Sequence, residues 1–190
     1  MSMWLFPIKN CNGIPVGHHP GAFAYRRRVS HHTGVDLYTV EGEPVHAMED
    51  GIVTSIEHFT GAQDKSPWWE NTDAVVIEGK SGAICYGEII PNPLLAIGSE
   101  VKRGDLVGKV TPVVHKGRER PDIPGHSRSM LHIEYYKPAR KKASDTWELD
   151  KPMHEYMIDP TPYLLKAEGA PKNQLVMVGE YFVQPQKPSS

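Results

Sequence analysis

The run Met130-Leu131-His132-Ile133-Glu134-Tyr135-Tyr136 decides the fold class, because it reads as a β-strand with two chemically different faces. Successive side chains of a strand point to opposite sides. Leu131, Ile133 and Tyr135 therefore share one apolar face, which is expected to pack on a core. His132 lies on the other face and is expected to point into a cleft.

Short β-rich runs of the same kind recur on the N-terminal side, and each is bounded by Gly, Pro, Asp or Asn. They lie at 35–38, 44–47, 51–58, 74–78, 83–90 and 106–110. This spacing predicts a mainly β domain built on an antiparallel sheet, either a sandwich or a distorted barrel. We expect residues 1–31 to be an irregular lead-in, 32–166 to form the β domain, and 167–190 to be a C-terminal tail with a disordered end.

The composition supports many turns and excludes two classes of partner. Hydrophobic residues make up 39% of the 190 residues, with 17 Gly and 17 Pro, which favours short strands over long helices. The formal charge is −2, with 21 basic against 23 acidic residues, so we predict neither a nucleic-acid nor a membrane partner. The three arginines at 26–28 are interpreted as a solvated loop, with contact to an anionic polymer as the one alternative.

The cysteines and the first residues of the sequence give information about the cellular compartment of the protein. Cys11 and Cys85 are too few for a disulfide scaffold, and whether they pair is left open. The start MSMWLFPIKN lacks the basic and apolar regions of a secretory signal, and no stretch approaches 18 apolar residues. We therefore expect a soluble protein that is made in the cytoplasm and released by another route or carried by a phage.

Three residues have side chains that suit a zinc ion. Two imidazoles and one carboxylate, from His32, Asp36 and His132, would leave the fourth tetrahedral position for water. A straight strand would separate the Cα atoms of His32 and Asp36 by roughly 13 Å, so shared binding requires a bend, which Gly34 permits. The alternative is a solvated pair, because His-x-x-x-Asp arises easily by accident.

Four motifs occur in an order that resembles the lysostaphin-type (LytM-like) zinc peptidases. They are HTGVDL at 32–37, GEPVHAMEDGIV at 42–53, VKRGDLVG at 101–108 and LHIE at 131–134, and the resemblance covers roughly residues 6–166. It implies a mainly β domain with a groove, Zn²⁺ held by His32, Asp36 and His132, and cleavage of peptide bonds in peptidoglycan.

The chain departs from this family at two positions. Members that hydrolyse carry a His where this chain has Glu88, after the strand residue Tyr86, and another where it has Met130. A Met side chain cannot transfer a proton, whereas a carboxylate can act as a general base. We therefore expect Glu88 to be the base, with His126 of the loop at 114–129 holding the oxyanion.

Substrate contacts are expected from two further places. Strand alternation would put Tyr86 on the same face as Glu88. Trp68 and Trp69 lie in the long loop at 60–72 and are read as a substrate wall, the alternative being a ring tucked onto the core.

Three functional hypotheses follow. The first is a zinc-dependent peptidoglycan endopeptidase with Glu88 as base. The second is a catalytically inactive zinc-binding domain that binds a peptide or glycan. The third is a lipoyl- or biotinyl-type carrier, which the stretches at 44–53 and 101–110 also resemble, although the segment at 47–50 has acidic residues where such a carrier needs a lysine.

Overall fold

The computed structural model describes residues 4–64 and 67–177. The predicted disorder of the C-terminal end lies outside these residues. Within them the chain forms thirteen short strands and one short helix. In chain order these are β1 (Ile14–Pro15), β2 (Ser30–His31), β3 (Val35–Thr39), β4 (Pro44–His46), β5 (Gly51–Thr60), β6 (Thr72–Gly79), β7 (Ala83–Pro91), β8 (Glu100–Val101), β9 (Leu106–Val110), β10 (Ser129–Tyr136), β11 (Trp147–Glu148), β12 (Met157–Ile158), α1 (Thr161–Leu165) and β13 (Gln174–Leu175).

Nine of the strands form one branched antiparallel sheet. Its main path runs β12-β10-β7-β6-β5-β8, with β3 beside β10, and with β9 joining β7 and pairing with β4. The predicted mainly β, antiparallel fold is therefore confirmed. Among the described residues the sheet does not close into a barrel.

The main core lies against one face of this sheet, and the alternation predicted for β10 is observed. Leu131 and Ile133 are completely buried in the main cluster, together with residues of β3, β5, β6 and β7 and with Leu164 of α1. His132 and Glu134 point to the opposite face. That face carries a smaller apolar cluster, which includes Cys85.

A β-bulge at Glu88 overturns the face predicted for this residue. Asp73 of β6 pairs with Ile89 and Ala74 pairs with Gly87, so Glu88 is an extra residue in β7, with φ of 66°. Tyr86 belongs to the main core, whereas Glu88 lines a cleft on the other side. The two side chains therefore lie on opposite faces, since the bulge interrupts the alternation between them.

The two ends of the described chain are paired with each other. Leu5 forms a parallel bridge with Glu168, and β1 pairs in parallel with β13. Leu175 of β13 is 8% exposed and packs with Tyr38. Residues 167–177, which were expected to begin a C-terminal tail, thus pair with the N-terminal part of the described chain.

Both cysteines are free thiols in this structure. Cys11 packs against the main core, whereas Cys85 belongs to the cluster on the other face of the sheet, so the two do not pair. No helix within the described residues has the length and apolar character needed to cross a membrane.

Candidate metal site

His32, Asp36 and His132 come together as the sequence predicted, and all three are buried. One donor atom from each lies within 4.8 Å of the others. Oδ1 of Asp36 is 3.1 Å from Nε2 of His32 and 2.8 Å from Nδ1 of His132, and the two nitrogens are 3.2 Å apart. The register of β3 and β10 places Asp36 directly opposite His132, and the bend before β3 brings in His32.

Gly34 makes that bend compatible with β10. A Cβ atom at this position would lie 2.7 Å from Nε2 of His132 and closer still to the backbone O of Ile133. Contacts this short do not occur between real side-chain and backbone atoms. The glycine is therefore required for the close approach of the chain to His132, and the predicted bend is present.

Hydrogen bonds leave the two facing imidazole nitrogens free to bind a metal. Nδ1 of His32 donates to the carbonyl of Ala22 over 2.9 Å, which leaves the lone pair on Nε2. Nε2 of His132 lies 3.1 Å from Oε1 of Glu134, which leaves Nδ1 facing Asp36. Two such nitrogens and a carboxylate oxygen are the donor set of an open zinc site, so the residues present fit this ion.

Glu134 supports His132 from behind. Its carboxylate accepts hydrogen bonds from the hydroxyls of Tyr136 and Ser144, the latter over 2.7 Å, and from the Ser144 N–H over 3.2 Å. Burial would raise the pKa of Glu134, but the hydrogen bond and charge of His132 outweigh it and lower the pKa to about 2. No role was predicted for Glu134, although strand alternation over two residues puts it on the same face as His132.

The two carboxylates around His132 control its protonation. Burial alone would lower the pKa of His132, but the hydrogen bonds to Asp36 and Glu134 and their charges raise it to about 10. A cation at this point is therefore favoured by the surrounding charges. A bound metal ion would take the place of that proton.

Glu88 lies in the same cleft and is 7% exposed. Its Oε2 has no hydrogen-bond partner among the described residues. Burial, followed by the charge of Asp36, raises the pKa of Glu88 to about 8. A carboxyl group of this kind can accept and return a proton near neutral pH.

Two other predicted site residues lie away from the cleft. Tyr86 is completely buried, and its hydroxyl accepts the N–H of Met48 over 2.8 Å, so it has no surface for a substrate. His126 does not line the cleft, because its ring packs on Tyr38 at 5.1 Å and its Nδ1 accepts the Arg120 N–H.

The cleft beside the three candidate ligands has a volume of about 240 Å³. Aromatic rings of Phe59, Trp69 and Trp147 line it, together with several hydroxyl groups. Trp68 is 41% exposed and its ring lies under the guanidinium of Arg118 at 5.1 Å instead of in the cleft. Of the two predicted tryptophans, only Trp69 therefore forms part of the wall.

Arg27 also lines the cleft, which the sequence analysis missed. Its Nη2 lies 3.4 Å from Oδ2 of Asp36, and its side chain is 43% exposed. The loop containing the three arginines was read as solvated. The structure brings one of the three to the candidate metal site, and no local pattern distinguishes it from the other two.

No protein-family model matches the sequence, and no curated protein matches it either. Several solved structures are similar to this chain in fold, although their sequence identity to it is low. LytU matches with a TM-score of 0.52 and 16% identity over 83% of this chain and 89% of that chain. The antimicrobial peptidase lysostaphin from Staphylococcus simulans matches with a TM-score of 0.50 and 16% identity over 85% of this chain and 55% of that chain.

Csd3 from Helicobacter pylori is also similar, with a TM-score of 0.46 and 19% identity over 78% of this chain. The chain spans 37% and 36% of the two Csd3 chains that it matches. The similarity to LytU and lysostaphin shows that this chain has the lysostaphin-type fold. The predicted resemblance is thus confirmed at the level of the fold.

Proposed function

We propose that this chain is a zinc-dependent peptidase that hydrolyses a peptide bond in peptidoglycan peptides. One observation carries the proposal: three donor atoms of the zinc-binding type lie within 4.8 Å of one another, beside a cleft lined by Glu88, whose Oε2 has no hydrogen-bond partner among the described residues. The fold shared with the antimicrobial peptidase lysostaphin and the order of the four motifs support the same reading.

His32, Asp36 and His132 would hold the ion, with Glu134 keeping the ring of His132 in place. When bound, zinc supplies a Lewis acid that acidifies water and polarises a carbonyl. The protein supplies the orientation, since both rings have their second nitrogen engaged in a hydrogen bond.

Glu88 would accept the proton of the attacking water and then return it to the leaving amine. Its carboxyl is held by the bulge on the cleft side of β7, and its free oxygen has no competing partner among the described residues. Phe59 and Trp69, which line the cleft, would contact the peptide substrate.

Digestion of purified peptidoglycan, combined with metal analysis, tests this proposal. The wild type should release new amino groups and contain about one zinc per chain. Glu88→Gln keeps the shape of the side chain but cannot accept the proton, so activity should fall by ~10²–10⁴ with zinc retained. The control Glu41→Gln, at an exposed carboxylate, should behave as the wild type. Full activity of Glu88→Gln with zinc bound would remove Glu88 from the mechanism.

A catalytically inactive zinc domain that binds a peptide or glycan is the second candidate. The observation in its favour is that Met130, which stands where hydrolysing members of the family carry a His, packs with Tyr38, Val113 and Leu175. Zinc binding without cleavage of any wall peptide would support it. The double change of Glu88→His and Met130→His should then create activity.

The carrier hypothesis has little to support it. Met48 is completely buried, and the buried carboxylate of Glu49 accepts the hydroxyl of Ser81. A carrier would need an accessible lysine at this turn.

A further inference from the structure

We propose that Arg27 is the oxyanion-binding residue of the cleft, which donates hydrogen bonds to the carbonyl oxygen of the bond under attack. The inference rests on the proposed peptidase function and names a catalytic residue for it. It replaces His126, which the sequence analysis assigned to this role.

The guanidinium of Arg27 stands beside the candidate metal ligands with most of its donors free. One contact joins its Nη2 to Oδ2 of Asp36 over 3.4 Å, which is long for a charge-assisted hydrogen bond. The remaining side-chain N–H groups donate to no other described residue. Because 43% of the side chain is exposed and it lines the same cleft as His32 and His132, these donors can reach a substrate.

Most of the charged side chains that line the cleft are acidic. Glu88, Glu134 and Asp145 are acidic, and Arg27 is the one Lys or Arg side chain among the described residues that line the cleft. Hydrogen bonds from the Arg27 guanidinium to the carbonyl oxygen would add to the polarisation that a bound zinc ion supplies and would offset the charge of these carboxylates. Preorganised donors aimed at developing charge are commonly the largest electrostatic contribution to catalysis.

Hydrogen bonds hold the backbone around Arg27 in place. Its N–H donates to the carbonyl of Ser30 over 2.8 Å, and the N–H of His32 donates to Tyr25 over 2.9 Å. The adjoining strand β2 pairs with β11, so His31 lies opposite Trp147 with their rings 4.5 Å apart. The loop that carries Arg27 is therefore anchored at both ends, which limits the reorganisation needed when charge develops.

The proposed step balances without any further reactant. The oxygen of a water molecule forms a bond to the carbonyl carbon, its proton passes to Glu88, and the π electron pair of the carbonyl moves onto the oxygen. Arg27 donates hydrogen bonds to that oxygen and loses no proton. The pair then returns, the C–N bond breaks, and Glu88 gives the proton to the amine.

Two measurements on the full-length, zinc-loaded protein test the role of Arg27. The first is the affinity for inorganic phosphate, a tetrahedral anion, measured by calorimetry. Arg27→Gln should weaken it about tenfold or more, because a hydrogen bond to a charged group is lost. The second is cleavage of peptidoglycan peptides, where kcat should fall by ~10²–10³ with a smaller change in KM.

Arg28→Gln is the matched control, since it removes the same charge from an exposed neighbour. It should leave phosphate affinity and kcat unchanged. Arg27→Lys should restore part of both, because it keeps the charge but not the planar donors. The zinc content of every variant is measured as well, and it should match that of the wild type.

Each possible result either supports the proposed role of Arg27 or overturns a stated part of the proposal. Equal phosphate affinity in the wild type and Arg27→Gln, including no binding by either, would overturn the inference, as would unchanged kcat in Arg27→Gln. Loss of zinc from Arg27→Gln would make Arg27 a positioning residue for Asp36 and overturn it as well. A wild type that cleaves nothing, but binds phosphate through Arg27, would instead refute the proposed hydrolysis and leave the anion-binding role of Arg27 standing.

Discussion

Glu134 is the residue that joins the candidate ligand His132 to the rest of the molecule. It accepts hydrogen bonds from His132, Tyr136 and Ser144, so one buried carboxylate links a ligand, a neighbouring strand residue and a loop. Such partners orient a ligating imidazole and raise its basicity. The metal affinity should therefore depend on a residue that does not touch the ion.

We predict that Glu134→Gln weakens zinc binding by about tenfold or more. The amide keeps the shape and one acceptor but lacks the charge that supports the ring. Competition with a chromogenic chelator measures the affinity. Glu78→Gln is the control, because the Glu78 carboxylate does not line the cleft and accepts the Ala139 N–H. Equal affinities of Glu134→Gln and the wild type would show that Glu134 has no part in the metal site.

The thiols of Cys11 and Cys85 give a second prediction at the scale of single residues, and this one depends on pH. Burial raises the pKa of Cys11 to about 11, and it also raises the pKa of Cys85. Only the thiolate reacts, and at pH 8 a thiol with this pKa is ionised in about one molecule per thousand, against about a quarter for a free cysteine.

Cys11 of the folded protein should therefore react with an aromatic disulfide reagent roughly a hundredfold more slowly than free cysteine at pH 8. Since its folded pKa lies above its unfolded value, the rate should rise about tenfold per pH unit from 8 to 10. Two thiols should react rapidly after unfolding. Comparison with Cys11→Ser assigns the signal, and rapid reaction of native Cys11 at pH 8 would contradict the burial.

At the scale of the elements, the start of β3 and the bulge of β7 control the site. The bend at Gly34 lets His32 and Asp36 face the same point beside β10, and the bulge turns Glu88 toward the cleft. β7 also changes its neighbour here, pairing with β10 up to Gly87 and with β9 from Ile89 onward. The branch of the sheet and the position of the proposed base thus have the same cause.

Gly34→Ala should destabilise the fold by about 1–3 kcal/mol and weaken zinc binding, because the added methyl group would overlap Ile133 and His132. Chemical denaturation and chelator competition measure the two effects. Gly17→Ala serves for comparison, since Gly17 also resists substitution through its φ of 61° but has nothing within 4 Å of an added Cβ. It should lower stability without changing zinc affinity. An unaffected metal site in Gly34→Ala would mean that the approach of β3 to β10 is not tight.

At the scale of the whole molecule, the candidate site ties distant parts of the chain together. His32 and His132 are 100 residues apart in sequence, and His32 also holds the N-terminal segment through the carbonyl of Ala22. An ion bound there cross-links the lead-in, β3 and β10. It binds the folded state alone, so it must add to the free energy of unfolding.

Zinc at about 100 times its dissociation constant should stabilise the wild type by about 2.7 kcal/mol, measured by denaturation with and without a chelator. His132→Ala should abolish this gain and lose the metal. His18→Ala, at an exposed histidine, should retain both. Full zinc occupancy in His132→Ala would refute the assignment of the ligands.

Local periodicity in the sequence was enough for the β class and for the two faces of β10, and the order of the four family-like motifs indicated the three candidate ligands. Strand alternation is a property of a single chain segment. His32 lies at a bend, and Asp36 and His132 lie on paired strands. The residues of each segment indicate by themselves that it is a bend or a strand. Gly34 likewise signalled the bend. Alternation and the bend need no distant contact to form, whereas the meeting of the three ligands depends on the long-range pairing of β3 with β10.

Tertiary structure alone decided the positions of Glu88, Tyr86, His126 and Arg27. The bulge that separates Tyr86 from Glu88 exists only because of how β7 pairs with β6, which no pattern within β7 reveals. Arg27 reaches the cleft because its loop is anchored by the pairing of β2 with β11, between residues more than a hundred positions apart. Register and loop placement depend on such long-range partners, and a local sequence pattern carries no information about them.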